Sequence, residues 1–149
     1  MNLLYRASRD GVEFKNVANK IKNKGNLIFF YLTGNERIFG NYIMVELKNL
    51  GAQQDTYYTD KNAFVFSLNN HKIYNILIPE YAIRFFIQKY PILVGNDGHS
   101  NGFYYDDYFI YDQELLNEPK VYSFEENNEI TKGKNKLNEL EIFEINYFS

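Results

Sequence analysis

The chain has 149 residues, with 16 Lys and Arg against 19 Asp and Glu for a net charge of −3, and 14 Tyr and 13 Phe but no Trp and no Cys. That length fits one domain over residues 1–149, and a hydrophobic content of 45% sets it apart from disordered chains and supports a buried core. The missing cysteines exclude a disulfide framework, a zinc finger and peroxide reduction through a thiolate, and only Met1 and Met44 carry sulfur.

The elements follow in chain order. Ser8 and Asp10 are candidate N-cap residues for a helix over about residues 10–24, in which Phe14, Val17, Ala18 and Ile21 recur at helical spacing. Lys15, Lys20, Lys22 and Lys24 decorate its other faces, and Gly25 is the expected C-terminal stop. Leu27 to Leu32 reads as a strand, residues 33–36 as a turn and Ile38 to Val45 as the returning strand of a hairpin. Gly40 inside that strand predicts a bulge or a close backbone approach. Residues 47–61 are polar and without period, so a long loop is expected. Ala63 to Leu68 and Lys72 to Ile78 flank a turn at Asn69, Asn70 and His71, a second hairpin. The alternation of Ile83, Phe85 and Ile87 favours a strand over residues 81–88. Ile92 to Val94 reads as a short strand, residues 96–102 as a turn and Phe103 to Tyr111 as one further strand. Residues 112–136 read mostly as loop with a short helix near residues 113–116, and Leu140 to Ile145 closes the pattern as a strand.

Many antiparallel strands, one firm helix and no run of crossovers indicate an α+β domain, mostly β: an antiparallel β-sandwich flanked by about two helices. No apolar stretch reaches the length of a membrane span. The start of the sequence lacks the apolar core of a signal peptide, and no lipidation signal is present, so a soluble intracellular chain is expected. Residues 1–50 carry a net +4 and residues 51–149 a net −7, which hints at a charge-polarised surface.

Candidate sites are few. The loop Asp97, Gly98, His99, Ser100, Asn101, Gly102 imitates part of a calcium-binding EF-hand loop, yet His99 stands where an oxygen ligand is needed and Tyr108 where the bidentate Glu belongs. Turn chemistry accounts for the same residues. Asp106, Asp107 and Asp112 near His99 are the residue types for acid–base or divalent-metal chemistry. On one alternating strand, however, Asp106 and Asp107 would face opposite ways. His71 is placed in an exposed turn. Gly98, His99 and Ser100 do not make a nucleophile elbow, and Lys132, Gly133 and Lys134 form a flexible basic loop, not a phosphate cradle. The lysines of the first helix offer a weak nucleic-acid reading against a solvated helix face. Arg9, Asp10 and Gly11 are read as a charge pair and the start of a helix.

Five blocks run through the chain: Leu3 to Gly11, Arg37 to Gly40, Ala63 to Leu68, Val94 to Gly98 with Gly102 to Asp107, and Leu140 to Glu144. Their order and spacing resemble the TLDc domain of the oxidation-resistance proteins and of TBC- and LysM-containing relatives. The departures are specific. Asn41 follows the Phe-Gly pair where the family has Gly or Ala, the glycine run at Gly95 is shortened, and Tyr104 and Phe143 stand where relatives tend to carry Trp. Glu46 matches, in uncertain register, an acidic residue that follows the Phe-Gly pair in relatives. The resemblance implies a β-sandwich that acts as a non-enzymatic interaction module linked to oxidative-stress resistance. It implies a protein partner, a subunit of the vacuolar proton-pumping ATPase (V-ATPase), and a cytoplasmic place, peripheral to endolysosomal membranes through that partner. A monomer with no cofactor, no metal, no nucleic acid and no membrane insertion is expected. Gly40, Glu46, Asp97, Gly98, Asp106 and Asp107 are the expected interface or conformational positions. The alternative is an enzyme of unknown reaction using Asp97, His99 and Asp106 or Asp107.

Overall fold

The computed structural model describes residues 1–52, 55–86, 90–96, 102–105, 109–112, 120–126 and 129–146, with the backbone alone at 90 and 111. The strands are β1 (Asn2–Arg6), β2 (Leu27–Thr33), β3 (Ile38–Ile43), β4 (Asp55–Tyr58), β5 (Phe64–Ser67), β6 (Lys72–Asn75), β7 (Ile83–Phe86), β8 (Tyr90–Val94), β9 (Phe103–Tyr105), β10 (Phe109–Asp112) and β11 (Asn135–Glu144). Two helices, α1 (Ala7–Asp10) and α2 (Phe14–Ile21), and a 3₁₀ turn at Pro79–Tyr81 complete the described elements.

All described strand pairs are antiparallel. One layer runs β1-β11-β2-β3-β5-β6 and the other β10-β9-β8-β7-β4. The two are continuous through β11, which pairs with β10 at Asn135 and Lys136 and with β2 from Leu137 onward. Its register slips between Leu137 and Glu139, where the strand passes from one layer to the other. The inner faces meet through aromatic rings. Phe103 of β9 stands edge-on to Tyr31 of β2 at 5.3 Å and to Phe39 of β3 at 5.2 Å, and Tyr31 and Phe39 stack at 5.4 Å. These are the separations at which aromatic pairs add to area burial. The expected antiparallel sandwich with two helices is what forms.

The N-terminal block is a clasp. Tyr5 donates its hydroxyl to the Gly11 carbonyl, and Arg6 reaches Glu141 of β11 at 2.7 Å. Glu139 of β11 accepts both the backbone N–H and the hydroxyl of Ser8, supplying a cap that α1 lacks locally. Arg9 and Asp10 form the expected charge pair at 2.8 Å. The single helix expected over 10–24 is divided: Gly11 takes φ 91° and ends α1, and α2 begins after Glu13 without a side-chain cap. Ser8 and Asp10 therefore serve other partners than the start of α2; the Asp10 carboxylate takes the Arg6 N–H. At the far end Lys22 is the cap residue and Asn23, at φ 63°, makes the left-handed step assigned to Gly25. Val17, Ala18 and Ile21 are buried, and Phe14 meets Phe85 of β7 edge-on at 6.4 Å.

Three further expectations change. The loop over 47–61 contains β4, an edge strand too short and polar to show a pattern. The single strand over 103–111 is two, β9 and β10, paired antiparallel, so the argument that Asp106 and Asp107 face opposite ways loses its premise. β11 begins at Asn135, five residues before the expected closing strand, because its first half is polar. The short helix expected at 113–116 lies outside the described residues.

Gly40 is a close approach without a bulge. It pairs in unbroken register with Phe30 on one side and Phe66 on the other. A Cβ there would overlap the Phe29 carbonyl oxygen and press on the Phe66 ring. Gly40→Ala is expected to lower stability by about 3 kcal/mol or more, since backbone has to move; urea unfolding measures it, and a variant as stable as the parent would show the strands yielding freely. Asn41, fully buried on the inner face, accepts the Tyr31 hydroxyl at 3.0 Å, while its own N–H₂ finds no acceptor among the described residues. Replacing both partners removes an unsatisfied donor and its neighbour's need for an acceptor. Asn41→Val with Tyr31→Phe is expected to gain about 1 kcal/mol, with Asn41→Val alone falling below the double variant. A double-mutant cycle by chemical denaturation reads both.

Candidate functional site

The first layer is apolar on both faces. In β2, Leu27, Phe29 and Tyr31 point into the core, while Ile28 and Phe30 lie on the outer face. In β5 the alternation runs against size: Val65 and Ser67 are buried inside, and Phe64 and Phe66 face out. Because Gly40 has no side chain, the rings of Phe30 and Phe66 meet across it, edge-on at 5.4 Å. Phe143 adds a ring 5.9 Å from Phe30. Next to this floor is an open hollow of about 430 Å³, whose apolar walls are Ile28, Phe30, Phe64, Phe66, Leu68 and Ile73. Leu68 is 52% and Ile73 64% exposed. Surface patches of this kind mark interaction sites more often than isolated exposed side chains do. Of the expected interface positions, Gly40 builds this floor. The sequence signal was present in the paired Phe64 and Phe66, but alternation alone does not say which face is inside.

Glu46 is exposed on the turn after β3 and is not among the residues that line the hollow. Asp97, Gly98, His99, Asp106 and Asp107 lie outside the described residues. The ends of the 97–101 segment are described. Asn96 is buried and accepts from Arg84 at 3.0 Å. Arg84 also grips Asp55 through two N–H groups at 2.7 and 2.6 Å, and its guanidinium lies 4.9 Å from the Tyr57 ring centre. Gly102 has φ 73°, and a side chain there would run into the Val94 carbonyl, so the two strands are held tightly where they leave for the loop.

Asp112, weighed above for acid–base or metal chemistry, is committed to the backbone. Its two oxygens accept the N–H groups of Ile130 at 2.9 Å and Thr131 at 3.3 Å. Burial pushes its carboxyl up to about 6, against the pull of those N–H groups and of the Arg37 charge. Arg37 donates to the Ile130 carbonyl at 2.7 Å and to Asn70 at 2.8 Å. Glu129 accepts from the backbone of Glu125 at 2.6 Å and from the Tyr74 hydroxyl at 2.8 Å. Burial raises the Glu129 carboxyl, but the donors of Glu125, Tyr74 and Glu126 with the Lys72 charge outweigh it and hold it below the usual range. Tyr74 is pushed up to about 12, mainly by burial. This is a network that docks the segment 120–131. Among the described residues no group of three His, Cys, Asp or Glu is placed to hold a metal ion. No described helix is long and apolar enough to cross a membrane.

The raised Asp112 carboxyl sets a pH dependence. Between its ordinary value and about 6 the folded chain binds a proton that the unfolded chain has lost. Its contribution to stability is complete below the unfolded value and is lost as pH rises through about 6. Asp112→Asn is expected to remove a fall on the order of 2 kcal/mol between about pH 4 and about pH 7. Urea midpoints for both proteins across that range test it; parallel curves would place the titration elsewhere.

The comparison with family models agrees with the blocks in the sequence. No curated protein matches the chain closely enough to be counted a relative. The family model described as TLDc domain matches residues 1–146, nearly the whole length, and the chain belongs to the TLDc domain family.

Proposed function

We propose that this TLDc domain is a non-enzymatic protein-interaction module, that its partner is a subunit of the vacuolar proton-pumping ATPase, and that it serves resistance to oxidative stress. The observation that carries the reading is the apolar hollow of about 430 Å³ left open on the outer face of the first layer. Aromatic floors with a few exposed aliphatic anchors are the composition of protein interfaces at their centre. Two of the described acidic groups with displaced pKa values support it too, since Asp112 and Glu129 are occupied with backbone N–H groups. The partner and the stress role come from the family resemblance. On this reading the protein works in the cytoplasm and reaches endolysosomal membranes through the pump. The enzyme alternative rests on Asp97, His99, Asp106 and Asp107, which lie outside the described residues.

Affinity capture of the tagged chain from its own cells, read by mass spectrometry, is expected to recover a pump subunit. Ile73→Asp, which puts a charge on the most exposed wall of the hollow, is expected to lower that recovery about fivefold or more, the ratio for losing an anchor of ~1 kcal/mol. Capture that returns no pump subunit would remove the partner assignment.

A further inference from the structure

A second surface lies at the end of α2. The Lys24 carbonyl accepts the Leu47 N–H at 2.9 Å and the Leu47 carbonyl accepts the Asn23 N–H at 2.9 Å, which pins the turn after β3 to the helix end. That bond sets Lys22 and Lys24 beside Lys48. Asp60, 4% exposed, turns inward and accepts the N–H groups of Met44 at 2.6 Å and Val45 at 3.1 Å. This brings Lys61 to the same turn. Lys22, Lys48 and Lys61 are exposed and Lys24 is half-buried. None of the four enters an ion pair among the described residues. Glu46 is the one exposed acid on the turn, and it too is in no such pair. Met44, on the same turn, is 49% exposed, an adaptable apolar contact of the kind used at binding surfaces; its sulfur accepts the Asn62 side-chain N–H at 3.2 Å.

We propose that this lysine-rimmed turn docks a short acidic segment of a partner protein, with Met44 as the apolar contact. The argument is charge complementarity with a limit on size. The patch is positive on a chain whose net charge is −3 and whose residues 51–149 carry −7. Screening confines attraction to about 8 Å at physiological salt. A segment of a few carboxylates stays inside that reach. A nucleic acid or a flat anionic membrane extends beyond it and meets the acidic remainder. Lysines, as point charges without a fixed fork, suit mobile carboxylates. The proposal rests on the interaction-module reading and names one of its surfaces.

The test is fluorescence anisotropy with a fluorescein-labelled decapeptide rich in Asp and Glu and the full chain. Binding is expected at about 20 mM NaCl and to weaken steeply by about 200 mM. The variant Lys22→Glu/Lys48→Glu/Lys61→Glu is expected to weaken it on the order of tenfold, from three exposed ion pairs. Lys15→Glu/Lys136→Glu, basic positions off the turn, is expected to lose far less binding than the triple variant does, and least at the higher salt. Thermal melts followed by circular dichroism establish that both variants fold. Equal binding by the triple variant and the parent overturns the assignment, and so does binding of phosphatidylserine vesicles or a DNA duplex in place of the peptide. If a pump subunit is captured equally by the parent and the triple variant, this surface is wrong and the module reading stands. If no pump subunit is captured while the peptide binds through the lysines, the surface stands and the named partner falls.

Discussion

The fold depends on β11 serving two layers at once. Its first two residues extend the β10 layer, from Leu137 it pairs with β2 in the other, and from Glu141 to Glu144 it lies between β2 and β1. The same strand offers Glu139 to Ser8 and Glu141 to Arg6, contacts 131 and 135 residues apart in sequence. α1 and β1 therefore have nothing to cap or pair with until β11 is in place. Loop closure on this scale is unfavourable before the contacts that reward it exist, so the bonds to Glu139 and Glu141 depend on the completed sandwich, while the Tyr5–Gly11 and Arg9–Asp10 contacts are local.

A sheet that is apolar on both faces creates a second constraint. Rings cannot be crowded on the inner and outer faces of neighbouring strands unless one position gives way. Gly40 is that position: its register partners Phe30 and Phe66 close over the missing side chain. The inner face gains Phe39 and Asn41 from the same strand, and the outer face gains a floor flat enough to leave a hollow beside it. The glycine thus belongs to the fold and to the surface together. A change there disturbs binding through stability first, which is why Ile73, on the wall and exposed, reports on the surface more cleanly.

Much of this was legible from residue order. The stripe of Phe14, Val17, Ala18 and Ile21 located α2, and the apolar run from Leu27 located β2, because burial on one face leaves a period. The helix break at Gly11 was not, since it depends on the Tyr5 hydroxyl holding the Gly11 carbonyl and on the Ser8 cap from a distant strand. Periodicity also reports that a face is apolar without saying which way it points, and in β5 it is Phe64 and Phe66 that face out while Val65 and Ser67 are buried. The polar network was invisible for a different reason. Arg37 meets the Ile130 carbonyl across 93 residues and Tyr74 meets Glu129 across 55, and a bond from side chain to remote backbone imposes no pattern on either segment.

That network shows what the buried carboxyl groups of Asp112 and Glu129 are occupied with. An irregular segment carries backbone N–H groups that no ladder satisfies, and near a core each must find an acceptor. Three carboxylates supply them: Asp60 to Met44 and Val45, Asp112 to Ile130 and Thr131, and Glu129 to Glu125 and Glu126. Each fastens a connection that has no strand of its own. All three come from the acidic part of the sequence, so the charge counted there overstates what the surface presents. The lysines on the turn after β3 carry no such internal duty. Asp60, by turning inward beneath that turn, fixes its shape, and its carboxylate is held by the N–H groups of Met44 and Val45 and not by an ion pair with a lysine of the rim.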